Sequence, residues 1–203
     1  MIQSSRFAGD VADWGLVIGA GPSLKRSDLD LLRGNVHSVA VNCAVFLAPW
    51  ADELFAADNN WWDVYGPKVQ WYKGHRTSRN GSRIAHKSWR GKGWARTGGN
   101  SGHMAIQYIS ETHSQVAIIG FDQQVANGRA HYHKDHQRRT EVGTRSVFLG
   151  NAEGARHWPN VMNKTSGDLK NRGVRVLNLS RETALTCFER MSVETFLTFI
   201  KEN

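Results

Sequence analysis

Apolar residues in this chain fall into short, mostly continuous runs, separated by longer stretches where they recur every three or four positions. The short runs lie at 14–18, 36–41, 53–57, 69–72, 115–119 and 174–179 and are rich in Val, Ile, Leu, Phe and Ala. Short apolar runs without alternation predict strands covered on both faces, as in a parallel sheet between helices. Helical spacing predicts helices over 23–32, 59–65, 101–112, 161–171 and 183–189, with a last amphipathic piece over 193–200. Gly34 and Gly173 follow helices and precede strands, where a left-handed cap takes glycine. The alternation predicts a single α/β domain over 1–203, built on a doubly wound, mainly parallel sheet. A chain of 203 residues is long enough to bury a real core around it.

Two segments break the alternation. Residues 73–99, rich in Gly, Ser, Arg, Lys and Trp, read as an irregular basic insertion, and 123–159 as a His-rich lid. Both begin just after a strand, and ligands of open α/β sheets bind beyond the carboxyl ends of the strands. Four polar groups fall at such ends: Gly19-Ala20-Gly21, Asn42, Asp58-Asn59 and Asp122. One polar residue there reads as a turn former or cap; four on one edge read as the lining of a pocket. The turn 19–23, with Pro22 at a helix start, presents backbone N–H groups that suit an anion, usually a phosphate. An ordinary strand-to-helix turn is the plainer alternative. At a second glycine-rich helix entry, Asn100 or Ser101 can cap the helix while free N–H groups hold an anion or a ligand carbonyl. The expected nucleotide pocket is therefore Gly19, Ala20, Gly21, Pro22, Ser23, Asn42, Asp58, Asn59, Asn100, Ser101 and Gly102, with Asp122 at its edge.

Charge sharpens the picture. Nine Lys and Arg residues lie between Lys68 and Arg96, with no Asp or Glu among them. That segment takes the net charge of the chain from +8 to −1 over the remainder. Trp71, Tyr72, Trp89 and Trp94 are interleaved with these charges. Cations beside aromatics suit nucleic acid, through phosphate contacts and base stacking. Arg76, Arg79, Arg83, Lys87, Arg90, Lys92 and Arg96 are the expected contacts to a polyanion, DNA first and a phosphorylated glycan second. A solvated surface loop is the bland alternative. The cluster His131, His133, Asp135 and His136 has the residue types of a zinc site, but Lys134, Arg138 and Arg139 disfavour a cation, so no metal is expected. A lid that contacts phosphate, or a solvated loop, fits the cluster better. Cys43 and Cys187 do not make a disulfide framework and read as buried, inert thiols. The polar first ten residues and the absence of a long apolar run suggest a cytosolic chain without a membrane span. A homo-oligomer is compatible with all of this.

In order, these residues resemble the bacterial lipooligosaccharide sialyltransferases and a wider Rossmann-like set. That set includes archaeal-type hydroxymethylpterin diphosphokinases and phage-encoded proteins. The matching elements are a G-x-G-P-S-L turn at Gly19 to Leu24, Asn42 closing the second strand, and Asp58-Asn59-Asn60 after the third. Asn100-Ser101-Gly102 opening a helix, Gly120-Phe121-Asp122, Asn127-Gly128 in a lid, and His157 before the last helix and strand complete the set. The resemblance spans roughly 14–185. It implies a Rossmann-like fold and a metal-independent transferase that uses a nucleotide-activated sugar, of the cytidine-monophosphate type, and no other cofactor. It implies that the glycine turn, Asn42 and Ser101-Gly102 hold the nucleotide. His157 is then the general base, a role that suits an imidazole near neutral pH, with His131 and Asp122 as further catalytic candidates. Where the family places its first lid tyrosine this chain has Gln123-Gln124, and near the second it has His131-Tyr132. The expected function is a nucleotide-binding, glycosyltransferase-like transferase that moves a sugar or similar group from an activated nucleotide donor to a polyanionic acceptor, with phage-type modification of DNA as one case. A non-catalytic Rossmann-like protein that binds nucleotide or nucleic acid is the alternative.

Overall fold

The computed structural model describes residues 13–79, 81–82, 84–93, 95, 100–124, 131–132, 140–142, 145–147 and 158–202. Its strands are β1 (Trp14–Ile18), β2 (His37–Val41), β3 (Glu53–Ala56), β4 (His75–Ser78), β5 (Lys87–Ser88), β6 (Gln115–Ile119), β7 (Thr140–Val142), β8 (Arg145–Val147), β9 (Arg175–Asn178) and β10 (Glu189–Arg190). Its helices are α1 (Arg26–Leu32), α2 (Asn59–Tyr65), α3 (Ser101–Ile109), α4 (Trp158–Asn171) and α5 (Val193–Glu202). Short 3-10 turns follow β2 at Asn42–Phe46 and α2 at Gly66–Val69.

Eight strands form one sheet in the order β10-β9-β6-β1-β2-β3-β4-β5, and every neighbouring pair is parallel. The β7–β8 pair is a separate antiparallel hairpin. This is the doubly wound, Rossmann-like α/β architecture. β1 is central, and all five of its residues are buried, which is why its sequence is apolar without alternation. Leu16 and Ile18 face a core built from α1, α2 and α5, through Leu29, Leu32, Trp61, Trp62 and Phe196. Val17 faces the opposite core, with Met104, Ile106 and Ile109 of α3 and Met162 and Leu169 of α4. Each of these side chains, fully buried, contributes about 1.5–3 kcal/mol. α3 lies across β1, β2 and β3, so one helix spans the centre of the sheet.

Three sequence expectations fail here, for physical reasons. Residues 69–72 do not form a strand; they end the 3-10 turn Gly66–Val69 and the bend after it. Val69 and Tyr72 are both buried, three positions apart, and the Tyr72 hydroxyl donates to the Ala51 carbonyl at 2.6 Å. The apolar period there is three, not two. The fourth strand is His75–Ser78, which has no apolar residue and is held by its register with β3. The segment 73–99 is therefore not wholly irregular: β4 and β5 extend the sheet through it. Residues 183–189 are not a helix either. The Thr183 hydroxyl donates to the Phe121 carbonyl at 2.7 Å and accepts from the Leu185 N–H at 3.1 Å, which ties the chain into a loop. Leu185 and Phe188 still reach the core.

Candidate functional site

Because the sheet is parallel, all its carboxyl ends lie on one edge. The chain runs outward from β1 through β2 to β5, then returns to β6 on the other side of β1. The gap between β1 and β6 is the topological switch point, where ligands of such sheets sit.

The glycine turn after β1 is locked to the segment after β6. Gly19 N–H donates to the Ile119 carbonyl at 2.7 Å and Gly21 N–H to the Gly120 carbonyl at 2.8 Å. Ser23 donates to Asp122 twice, from its N–H at 2.7 Å and its hydroxyl at 2.8 Å. A Cβ on Gly19 would stand 2.5 Å from the Gly120 oxygen, so only glycine permits this approach. Three of the N–H groups that the sequence offered to a phosphate are thus occupied by the β6 side. Ala20 accepts from the Tyr132 N–H at 2.9 Å, and Pro22 is half-buried beside it. α1 begins only at Arg26.

Asp122 is 1% exposed. Burial, the larger influence, holds its carboxyl above the usual carboxylate value against the pull of the Ser23 bonds. Both its oxygens serve Ser23, so any catalytic part it plays passes through that serine.

α3 reaches the same edge with its amino end. Asn100 caps it: its Oδ1 accepts from the His103 N–H at 3.0 Å, and its own N–H donates to His103 Nδ1 at 3.3 Å. The Ser101 hydroxyl accepts from the Ala57 N–H at 3.2 Å, tying α3 to the end of β3. Gly102 packs on the Phe121 ring, where a Cβ would stand 2.8 Å from Cε1. Asp58 and Asn59 open α2 and are exposed, and the Arg79 charge reaches Asp58.

Two residues stand out for conformation. Asn42, after β2, has φ 52°, and Gln123, after β6, has φ 51°. They are the positive-φ residues other than glycine among those described. The same two residues each keep a buried side-chain oxygen, Asn42 Oδ1 and Gln123 Oε1, that no described residue hydrogen-bonds. Asn100 Nδ2 is a buried donor in the same condition. Sequence reasoning placed Asn42 and Asn100 in the pocket but noted Gln123 only as a departure, standing where the related family has its first lid tyrosine. That position, and its place directly after Gly120-Phe121-Asp122, were the signals for it.

Other expected residues scatter. His131 is half-buried with its ring 5.9 Å from that of Trp158. Tyr132 beside it donates its hydroxyl to the Cys43 carbonyl at 2.7 Å. His157, His133, Asp135, His136, Arg83, Arg96 and Trp94 lie outside the described residues. Among the described residues, no group of three His, Cys, Asp or Glu is placed to hold a metal ion.

Of the basic set, Arg76 is committed to the protein, donating to the Gln70 and Tyr72 carbonyls at 3.2 and 2.9 Å. Lys87 donates to the Tyr108 hydroxyl at 3.3 Å, whereas Arg90 and Lys92 are exposed. Of the interleaved aromatics that are described, Tyr72 and Trp89 are core and Trp71 is exposed: Trp89 is 5% exposed and its indole donates to Glu111 at 2.8 Å. Burial pushes the Cys43 thiol up to about 11 and raises that of Cys187 as well.

A second polar cluster lies at the opposite, amino edge of the sheet. Glu53 is 3.3 Å from His37 Nε2 and accepts from the Tyr108 hydroxyl at 2.6 Å. His37 stacks on His113 at 5.0 Å. Ser114 bonds Asp13 on the same edge.

No protein-family model matches this chain, and no curated protein matches it. Among the described residues, no helix is long and apolar enough to cross a membrane.

Proposed function

We propose that this chain is a nucleotide-binding transferase of the glycosyltransferase-like kind, moving a sugar or similar group from a nucleotide-activated donor to a polyanionic acceptor. The observation that carries the reading is the pair Asn42 and Gln123. Each combines a left-handed backbone with an unsatisfied buried oxygen, on either side of the switch point. An αL backbone and a buried orphan acceptor each cost about 1–3 kcal/mol, the former least for Asn, and such costs concentrate at ligand sites. An amine-bearing heterocycle such as cytosine or adenine supplies the N–H donors that both oxygens lack. The resemblance to the sialyltransferase-like set supports the same reading and a cytidine-monophosphate type of donor. In this scheme the acceptor hydroxyl gives its proton to a histidine, His157 or His131. The glycine turn and the amino end of α3 flank the phosphate.

Thermal-shift measurement with CMP, CDP, UDP, GDP and ATP tests it, because a ligand of the native state raises the melting temperature. At least one nucleotide should shift the wild type. Asn42→Gly and Gln123→Gly keep the backbone geometry and remove the orphan oxygens. They should melt no lower than wild type and lose most of the nucleotide shift. Absence of any shift at millimolar nucleotide refutes the reading. A second reading, nucleotide binding without catalysis, is favoured by the commitment of the Asp122 carboxylate to Ser23. Under that reading His157→Ala leaves nucleotide binding unchanged and there is no turnover to lose.

A further inference from the structure

Among the described residues Trp71 is the one aromatic side chain left largely in solvent, at 45% exposure. It is not a loose side chain: its indole N–H donates to the Lys68 carbonyl at 2.7 Å. Phe46 stands beside it with ring centroids 6.2 Å apart, and Tyr65 stands 6.2 Å beyond Phe46. Lys68 Nζ lies 5.1 Å over the Tyr65 ring. Lys68 and Lys73 are exposed, and among the described residues neither pairs with a carboxylate. A fixed, solvent-facing indole beside two half-buried aromatic rings, flanked by cations that no described carboxylate pairs, is the composition of a base-stacking surface.

We propose that Trp71, Phe46 and Tyr65, flanked by Lys68 and Lys73, form a platform for single-stranded nucleic acid. It rests on the polyanionic acceptor proposed above and not on the nucleotide cleft. Free bases stack on exposed rings whatever their sequence, whereas in a duplex the base faces are already covered. The charge is complementary to phosphate, and a solitary indole among cations offers little to an apolar protein face. The platform also leads to the cleft. Phe46 closes the 3-10 turn that starts at Asn42, and Tyr132 bonds Cys43 within that turn. A strand laid on Trp71 can therefore run along one short turn to the switch point.

Fluorescence anisotropy with a labelled oligo-dT, and with a duplex of the same length, tests the platform. Trp71→Ala should weaken single-strand binding by about 5- to 50-fold, while Trp71→Phe keeps most of it. Changing Lys68 and Lys73 together to Ala should reduce the log–log salt slope by about 1.4, the value for two phosphate contacts on a single strand. The double lysine variant should melt as wild type does, since its ammonium groups are exposed. Trp71→Ala also loses the bond to Lys68 and ring packing on Phe46 and Tyr72, so its affinity is measured well below its own melting temperature and judged against Trp71→Phe. Trp71→Ala binding within about twofold of wild type overturns the proposal. So does preferred binding of the duplex that fails only when Arg90 and Lys92 are changed, although the polyanionic acceptor then survives. If wild type binds neither oligonucleotide, the platform falls, and of the two polyanionic acceptors only a phosphorylated glycan is left. Self-association that Trp71→Ala abolishes, without oligonucleotide binding, overturns it in favour of a second copy of the chain.

Discussion

His37 and His113 show how one contact sets two neighbouring side chains in opposite directions. The hydrogen bond to Glu53 is the largest influence on His37 and raises its pKa above 6.5, with burial opposing. His113 is lowered below 6.5, first by burial and then by the charge of His37. Asp52, Asp13 and Glu53 are the other charges that act on the pair. A raised folded pKa contributes stability fully below the unfolded value and loses it as pH rises through the folded value. For His37 that window opens just above 6.5. For His113 the sign reverses, and its contribution is lost as pH falls through its lowered value. The melting gap between wild type and His37→Gln should be widest below pH 6.5 and narrow as pH rises above it, never exceeding roughly 3 °C for a half-exposed pair. A gap independent of pH refutes the assignment. This cluster was invisible in the sequence, because parallel register brings His37 and Glu53 together without any spacing rule. Asn42 and Ser101 were legible because both stand at the end or start of a strongly patterned element. Gln123 was not, since its distinguishing features are a backbone angle and a missing partner, and neither leaves a mark in composition.

At the scale of elements, β1, α2 and β6 stand where the pattern placed them, because each has enough apolar residues to fix its own period. β4 escaped notice for the opposite reason. His75–Ser78 gets its strand character from pairing with β3 and nothing from its own side chains. The glycine turn was legible as a turn, but its partner was not. Its close approach to the Gly120 carbonyl predicts that Gly19→Ala forces β1 and β6 apart, at about 1–3 kcal/mol of stability. Urea denaturation with an unchanged m-value should show the loss. An unaltered midpoint would mean that the two loops move apart freely, against the hydrogen bonds that join them.

Among the described residues the sheet is open, with β5 at one margin and β10 at the other. Each is two residues long, and their side chains are Lys87, Ser88, Glu189 and Arg190. An unpaired parallel edge is a template for another chain, and short, charged margins are how proteins blunt it. Part of the basic charge read from the sequence as a grip on a ligand therefore also acts against fibril growth. Replacing Lys87 and Ser88 with Val should leave the fold intact yet speed aggregation on mild heating, followed by light scattering and thioflavin binding. Unchanged aggregation would show that another part of the chain guards this margin. The positive field around β4 and β5 would then be free to evolve with whatever the protein binds, whereas a guarding lysine ties colloidal survival to binding and limits how far either can drift.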